Sequence, residues 1–198
     1  MRYKYINEIT RYIFQKSKNV YANYFIKNYT STMSPDSPNA LISYLPFPLR
    51  LPPDSKDMFK HQNRREAIEI VNAFIELGYN VDVVHYNKKA FLPSRKYDVI
   101  FGLEPNIEKF ARKNPKALKI YYATGSYWKY QNASIIDRVA EVNKRRRSSL
   151  RPARLIMSHQ SAELADYIIQ IGSTFTVYTY PPEIQPKIRL VRQSSFEF

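Results

Sequence analysis

The 198-residue chain has no cysteine, only four glycines and only three histidines. Without cysteine it forms no disulfide bond and no zinc or iron–sulfur site that needs a thiolate, and this composition fits a reducing compartment. His61, His85 and His159 are too widely spaced for a local metal-binding motif, so we expect no metal site. No serine or cysteine nucleophile motif accompanies them.

Long apolar runs are also missing. No stretch reaches the roughly 20 residues that span a bilayer, and the first residues lack the continuous apolar core of a signal peptide. We therefore expect a cytoplasmic protein.

Acidic residues are scarce. The chain has 31 lysines and arginines but only 17 aspartates and glutamates, which gives a formal net charge of +14. Such an excess favours a polyanionic partner: nucleic acid, an anionic membrane surface or a phosphate-bearing small molecule. A nucleic-acid interface would use Lys144 to Arg147, Arg151 and Arg154. The chain has no recognition-helix, zinc-finger or RNA-binding signature, so nucleic acid is the less favoured partner.

Residues 1–38 form a basic, tyrosine-rich extension that ends in the linker STMSPDSP. Ile6, Ile9, Tyr12 and Ile13 fall on one face of a predicted helix. This helix either packs on the following domain or lies on an anionic membrane, which would make the protein peripheral at the inner face of the membrane.

From residue 39 onward, predicted strands and helices alternate. Ala40 to Leu45 is the first strand, Asn63 and Glu66 form the entry signature of a long helix, and Gly78 ends that helix before a strand at Val81 to Val84. Further strands are predicted at 97–102, 117–122 and 166–172, and further helices at 107–113, 132–147, 154–165 and 173–180. The long helix at 132–147 is expected to bury Ile135, Ile136, Val139, Ala140 and Val142.

This alternation predicts an α/β fold, a Rossmann-like three-layer αβα sandwich with a mostly parallel sheet. The domain should cover residues 39–182. A tail at 183–198 could add one more strand at 187–191.

The loops after the strands are the candidate site. Gly102, Gly125 and Gly172 each follow a predicted strand, where backbone can approach a ligand, and Pro46 begins a long loop over the carboxyl edge of the sheet. That loop reads LPFPLR, without the glycines of a dinucleotide-binding or P-loop motif, so NAD enzymes and P-loop NTPases are disfavoured.

His61 is the candidate catalytic residue. It lies just before the predicted helix cap at Asn63, where it could position or deprotonate a hydroxyl beside a bound phosphate. Tyr127 and Trp128 could stack on sugar rings or bases and form one cleft wall with His61. The alternatives are a surface histidine and a tryptophan that fills the core.

Four segments together resemble the N-terminal half of GT-B-type glycosyltransferases of the retaining, group 1 kind: SYLPFP, HQNRREAIEIVNAFIELGYNVDVVHY, YDVIFG and ELADYIIQIGSTFTVYTYPP. The resemblance covers residues 39–195. It implies a domain that binds a sugar acceptor, such as a lipid-linked sugar or a polysaccharide, and that faces a second domain binding the nucleotide-sugar. It also implies that His61 matches the histidine found near the start of the first helix in that family, and that Gly102, Gly125 and Trp128 lie on cleft loops.

Two features depart from that pattern. Prolines replace the glycine-rich turn after the first strand, and the chain reaches Phe198 without the donor-binding residues of the second half. We therefore expect a half-enzyme that is inactive alone and has no cofactor, with a nucleotide-sugar as co-substrate once the missing donor-binding domain is supplied.

Overall fold

The computed structural model describes residues 25–29, 34, 36–52, 54–88, 90–92 and 95–192. Within these ranges, seven strands form one sheet in the order β1-β3-β2-β4-β5-β6-β7. β1 is antiparallel to β3, and the other neighbours are parallel. The strands are β1 (Phe25–Ile26), β2 (Asn39–Tyr44), β3 (Asn80–His85), β4 (Val99–Gly102), β5 (Leu118–Ala123), β6 (Tyr167–Ile171) and β7 (Ile188–Val191).

Helices cover both faces of the sheet, which confirms the predicted Rossmann-like three-layer fold. They are α1 (Gln62–Glu76), α2 (Asn106–Lys113), α3 (Trp128–Arg146), α4 (Ser161–Leu164) and α5 (Thr174–Val177), with 3₁₀ turns at Phe47–Arg50, Lys56–Lys60 and Gln185–Lys187. α1 buries Ala67, Val71 and Phe74 on one face, whereas α2 buries Ile107 and Phe110 on the other. Both stripes follow helical spacing, so the sequence pattern explains which side each helix buries.

The sheet extends beyond residue 182. β7 pairs in parallel with β6, and Ile184 and Ile188 are buried in the core. The helix predicted in the first residues lies outside the described residues. No helix in the described ranges is long and apolar enough to cross a membrane.

The face that carries α1 is only partly covered by described residues. Beside α1, above β5, β6 and β7, lies an apolar groove of about 520 Å³. Its walls include Ile70 and Phe74 of α1 and Ile120, Tyr122 and Ile169 of the sheet. Helices thus cover both faces at the centre of the sheet, where α1 and α2 lie on opposite sides, whereas the α1 face is open over β5, β6 and β7 in the described part of the chain.

The cap of α1 corrects one prediction. His61, not Asn63, is the N-cap residue: its backbone is extended and its Nδ1 accepts the Asn63 N–H at 3.3 Å. The side chain of Glu66 accepts the hydroxyl of Tyr44 instead of serving only as a partner for a cap at Asn63. A histidine ring nitrogen supplies the acceptor that Asn63 was expected to supply.

Two further predictions, both around α3, are wrong. α3 begins at Trp128 rather than at residue 132, and its apolar stripe is not buried, since Ile136 is 46% exposed. In the stretch 154–165, only Ser161–Leu164 is helical. Backbone groups of Leu150 and Ile156 bond to asparagine side chains of α3, which holds this segment in an irregular path along the helix.

Candidate functional site

The carboxyl ends of the central strands enclose a cleft of about 430 Å³. β2 connects to β3 on one side and pairs with β4 on the other, so the cleft lies where the strand order reverses, which is the usual ligand site of an open α/β sheet. Its lining combines strand ends with the N-terminal part of α1: Tyr44, Leu45, His61, Gln62, Asn63, Glu66, His85, Tyr86, Leu103, Glu104, Thr124 and Ile171.

Glu66, the fifth residue of α1, is held by two tyrosines of the sheet. Its Oε2 accepts the hydroxyl of Tyr44 at 3.0 Å and that of Tyr122 at 3.3 Å. Burial and the Glu66 carboxylate raise the pKa of both phenols well above its ordinary value. Both tyrosines therefore stay protonated and keep donating to the carboxylate.

Glu104, two residues after β4, is held in a similar way from β5. Its Oε2 accepts the hydroxyl of Tyr121 at 2.8 Å. Burial of Tyr121, with the nearby Glu104 carboxylate second, raises the pKa of that phenol as well. The cleft thus holds two carboxylates whose positions are set by hydrogen bonds from neighbouring strands.

His61 has its ring orientation fixed by the helix that it caps. Because Nδ1 accepts the Asn63 N–H, a neutral His61 carries its ring proton on Nε2. In that state Nε2 donates a hydrogen bond and does not accept a proton. The geometry therefore favours a positioning role for His61 over the deprotonation also considered from the sequence.

His85, at the end of β3, has a related arrangement. Its Nδ1 accepts the Asn87 N–H at 3.2 Å, and its ring stacks on Tyr86 with 4.8 Å between the centroids. Burial lowers the pKa of His85, so the neutral ring is favoured. Asn106 of α2 donates to the His85 carbonyl oxygen at 3.1 Å and ties this strand end to the helix.

The charge of the cleft is opposite to that of the protein. The chain carries +14, yet the residues that line this cleft include two carboxylates and no lysine or arginine. No group of acidic, histidine or cysteine side chains in the described part of the chain is arranged to hold a metal ion. Carboxylates, amides, imidazoles and hydroxyls suit a neutral ligand rich in hydroxyl groups far better than a phosphate.

The predicted site residues separate into two groups. His61 and Asn63 line the cleft, and Gly102 ends β4 just before the lining residues Leu103 and Glu104. Pro46 lies one residue beyond the lining residue Leu45, where its carbonyl oxygen accepts the Leu49 N–H and starts a 3₁₀ turn.

The other predicted residues are held by different parts of the fold. The Tyr127 hydroxyl donates to Glu163 at 2.7 Å, and the Trp128 indole N–H donates to the His159 carbonyl oxygen at 3.0 Å. Trp128 packs against the core on the face opposite α1, so it does not form a wall with His61. Gly125 accepts a hydrogen bond from Gln170, and Gly172 lies against Thr176 of α5.

Sequence reasoning missed most of the polar residues that line the cleft: Tyr44, Gln62, Glu66, His85, Tyr86, Glu104 and Thr124. A signal for several of them was present, because Tyr44, His85, Tyr86, Glu104 and Thr124 end or closely follow parallel strands. Glu66 was assigned to helix capping, and only the tertiary contact with Tyr44 and Tyr122 shows its place in the cleft.

The chain has no match among protein-family models, and no curated protein matches it. The fold and the chemistry of the cleft are therefore the grounds on which a function can be argued.

Proposed function

We propose that this chain is the acceptor-side half of a glycosyltransferase. It would bind the sugar acceptor in the carboxyl-edge cleft, with the transferred sugar supplied by a nucleotide-sugar-binding half. The sequence resemblance and the Rossmann-like fold support this function. The observation that carries it is the composition of the cleft, which offers carboxylate oxygens and no cation in a strongly basic protein.

The two carboxylates would recognise acceptor hydroxyl groups. Glu104 keeps lone pairs after accepting the Tyr121 hydroxyl, so it can accept a hydrogen bond from a sugar O–H, and the Glu66 carboxylate lines the same cleft. Since the tyrosines fix these oxygens before the ligand arrives, little conformational entropy is lost on binding.

The two histidines would complement the carboxylates. The Nε2–H of His61 would donate to a sugar oxygen, while His85 and Tyr86 would offer ring surface to the apolar side of the sugar. These groups position an acceptor but do not activate a donor. Transfer would need both halves to close on the two substrates, and this chain alone would have no turnover.

Binding of the purified chain to a glycan array, followed by calorimetry on the best glycan, tests the proposal. We expect binding by the wild type and a loss of about tenfold or more for Glu104→Gln, because a charge-assisted hydrogen bond contributes roughly 1.5–3 kcal/mol. Glu141→Gln is the matched control, since Glu141 lies on α3 in an exposed pair with Arg145. Its affinity should equal that of the wild type.

Two results would count against the proposal. Equal loss in both variants would show that the cleft does not hold the glycan. Steady sugar transfer from a nucleotide-sugar by the isolated chain would show that it is not a half-enzyme.

A further inference from the structure

A second groove lies along α3, on a part of the surface that shares no lining residue with the cleft. Its volume is about 770 Å³, and it runs between the helix and the irregular segment that follows. It is lined by Ser126, Tyr130, Gln131, Ser134, Ile135, Arg138, Val139, Leu150, Arg151, Ala153 and Arg154.

Two asparagines of α3 hold the irregular segment against the helix. Asn143 donates to the Leu150 carbonyl oxygen at 2.9 Å and accepts the Leu150 N–H at 2.8 Å. Asn132, three turns earlier, makes the same pair of bonds with Ile156, at 2.8 and 2.9 Å. The backbone between these two fixed points carries Arg151 and Arg154, so the groove has a defined second wall.

The charge in the groove is unbalanced. Arg138, Arg151 and Arg154 line it, and no acidic residue does. None of the three arginine side chains has a hydrogen bond or ion pair with another residue in the described part of the chain. On the same helix Arg145 pairs with Glu141, which shows that acids are present on α3 but do not neutralise the groove.

The lining of the groove also has an apolar part. Ile135 and Val139 of α3 and Leu150 and Ala153 of the segment all line it, and Leu150 is 58% exposed. Tyr130, Ser126 and Ser134 add hydroxyl groups to the lining. The groove therefore suits a ligand that joins an anionic group to a less polar body.

We propose that this groove binds a phosphate ester, with Arg138, Arg151 and Arg154 contacting the phosphate oxygens. Guanidinium groups present paired N–H donors that match phosphate geometry, and their bonds to it are charge-assisted. The carbon atoms of the ester would contact the apolar lining residues Ile135, Val139 and Leu150. The phosphate could come from a lipid headgroup or from a soluble ester, and the site would exist whether or not the cleft binds a sugar.

Nucleic acid fits the groove less well. A polynucleotide is bound along a continuous cationic track with exposed aromatic rings for successive bases. Here one aromatic ring, that of Tyr130, lines the groove, and the lining includes four aliphatic side chains beside the three arginines.

Binding of the 198-residue chain to three probes at physiological salt tests the proposal. The probes are soluble glycerol phosphate, phosphatidylcholine vesicles with and without phosphatidylglycerol, and single-stranded DNA at matched phosphate concentration. The test variant carries Arg138→Gln, Arg151→Gln and Arg154→Gln. The control carries Lys96→Gln, Lys113→Gln and Lys116→Gln, which removes the same charge from exposed positions outside the groove.

We expect the arginine variant to bind the phosphate probe about tenfold or more weakly, and the lysine control to stay within about twofold of the wild type. Binding of glycerol phosphate identifies a soluble ester as the ligand, and binding of phosphatidylglycerol vesicles alone identifies a lipid headgroup. Asn143→Ala, which frees the segment without changing the charge, should also weaken binding severalfold.

Three outcomes would overturn the proposal. The first is no binding of either phosphate probe by the wild type. The second is equal loss in the two triple variants, or no loss in Asn143→Ala, because either result indicates diffuse charge attraction. The third is DNA binding that is tighter than that of both phosphate probes and equally sensitive to the arginines, which would assign the groove to nucleic acid.

Discussion

Gly102 is the residue whose replacement gives the sharpest test of the sheet beneath the cleft. Its φ is +157°, and a Cβ added there would lie 2.6 Å from the Cβ of Ser43 on β2. Ser43 is fully buried, and its carbonyl oxygen accepts the Leu103 N–H, so the neighbouring strand is held in place. We therefore expect Gly102→Ala to destabilise the fold itself.

The expected size follows from two contributions. Overpacking of a well-packed core costs about 1–3 kcal/mol, and a non-glycine residue in a glycine-only backbone region costs about 1–3 kcal/mol. Gly102→Ala should therefore lower the free energy of unfolding by about 2–6 kcal/mol. For a chain of this length that corresponds to a Tm lower by about 4–24 °C.

Gly125→Ala is the matched control. A Cβ at Gly125 would meet only Gln131 Oε1, at an ordinary contact distance of 3.5 Å. Urea and thermal unfolding followed by circular dichroism should place this variant within about 0.5 kcal/mol of the wild type. If Gly102→Ala were equally stable, contact with Ser43 would not be the reason for glycine at the end of β4.

Three further substitutions test buried polar groups. Burial lowers the pKa of His159, although nearby carboxylates oppose this effect. In the unfolded chain the imidazole is therefore protonated near pH 6.5, whereas in the folded chain it is protonated only at lower pH. The free energy of unfolding should therefore fall as the pH drops below about 6.5. His159→Gln should make it depend less steeply on pH in urea titrations at several pH values, and an unchanged dependence would contradict this. Tyr97→Phe removes a 2.6 Å hydrogen bond to the buried Asp82 carboxylate and should cost about 1.5–3 kcal/mol in urea unfolding, whereas Tyr79→Phe should cost less than about 0.5 kcal/mol. Gln170→Leu removes the hydrogen-bond partner of the Ala123 and Gly125 carbonyl oxygens and of the Tyr180 hydroxyl, so we expect the free energy of unfolding to fall by about 3 kcal/mol or more. A decrease under about 1 kcal/mol would mean that water replaces these bonds.

The layered fold could be predicted from the sequence because its signals are local. The stripe of α1, the glycine at its end and the β-branched residues of β3 all depend on neighbours within a few residues. Each of these elements was confirmed within one or two residues. β7 was foreseen as an added strand, but its pairing with β6 is a tertiary contact.

The region around α3 could not be predicted, because its structure depends on distant contacts. The apolar spacing of α3 indicates one face but not what lies against it, and residues 150–156 run along that face with the groove between them. The same asparagine bonds use backbone groups that a helix over 154–165 would need. The positive φ of Arg154, at 58°, is incompatible with such a helix at its first residue.

The candidate site was predicted in place but not in composition. The carboxyl edge of the sheet and His61 follow from the alternation of strands and helices. The carboxylates of Glu66 and Glu104 are held in the cleft by hydrogen bonds from tyrosine hydroxyls of the sheet. Such contacts between distant residues leave no local pattern in the sequence.

The most direct test of acceptor binding is an amide-proton NMR titration of the chain with the best glycan from the array. Binding at the carboxyl edge predicts shifts at His61, Tyr86, Glu104 and Thr124, which line the cleft, and unchanged signals along α3. Saturable binding that shifts α3 and leaves these four residues unchanged would contradict the proposed acceptor site.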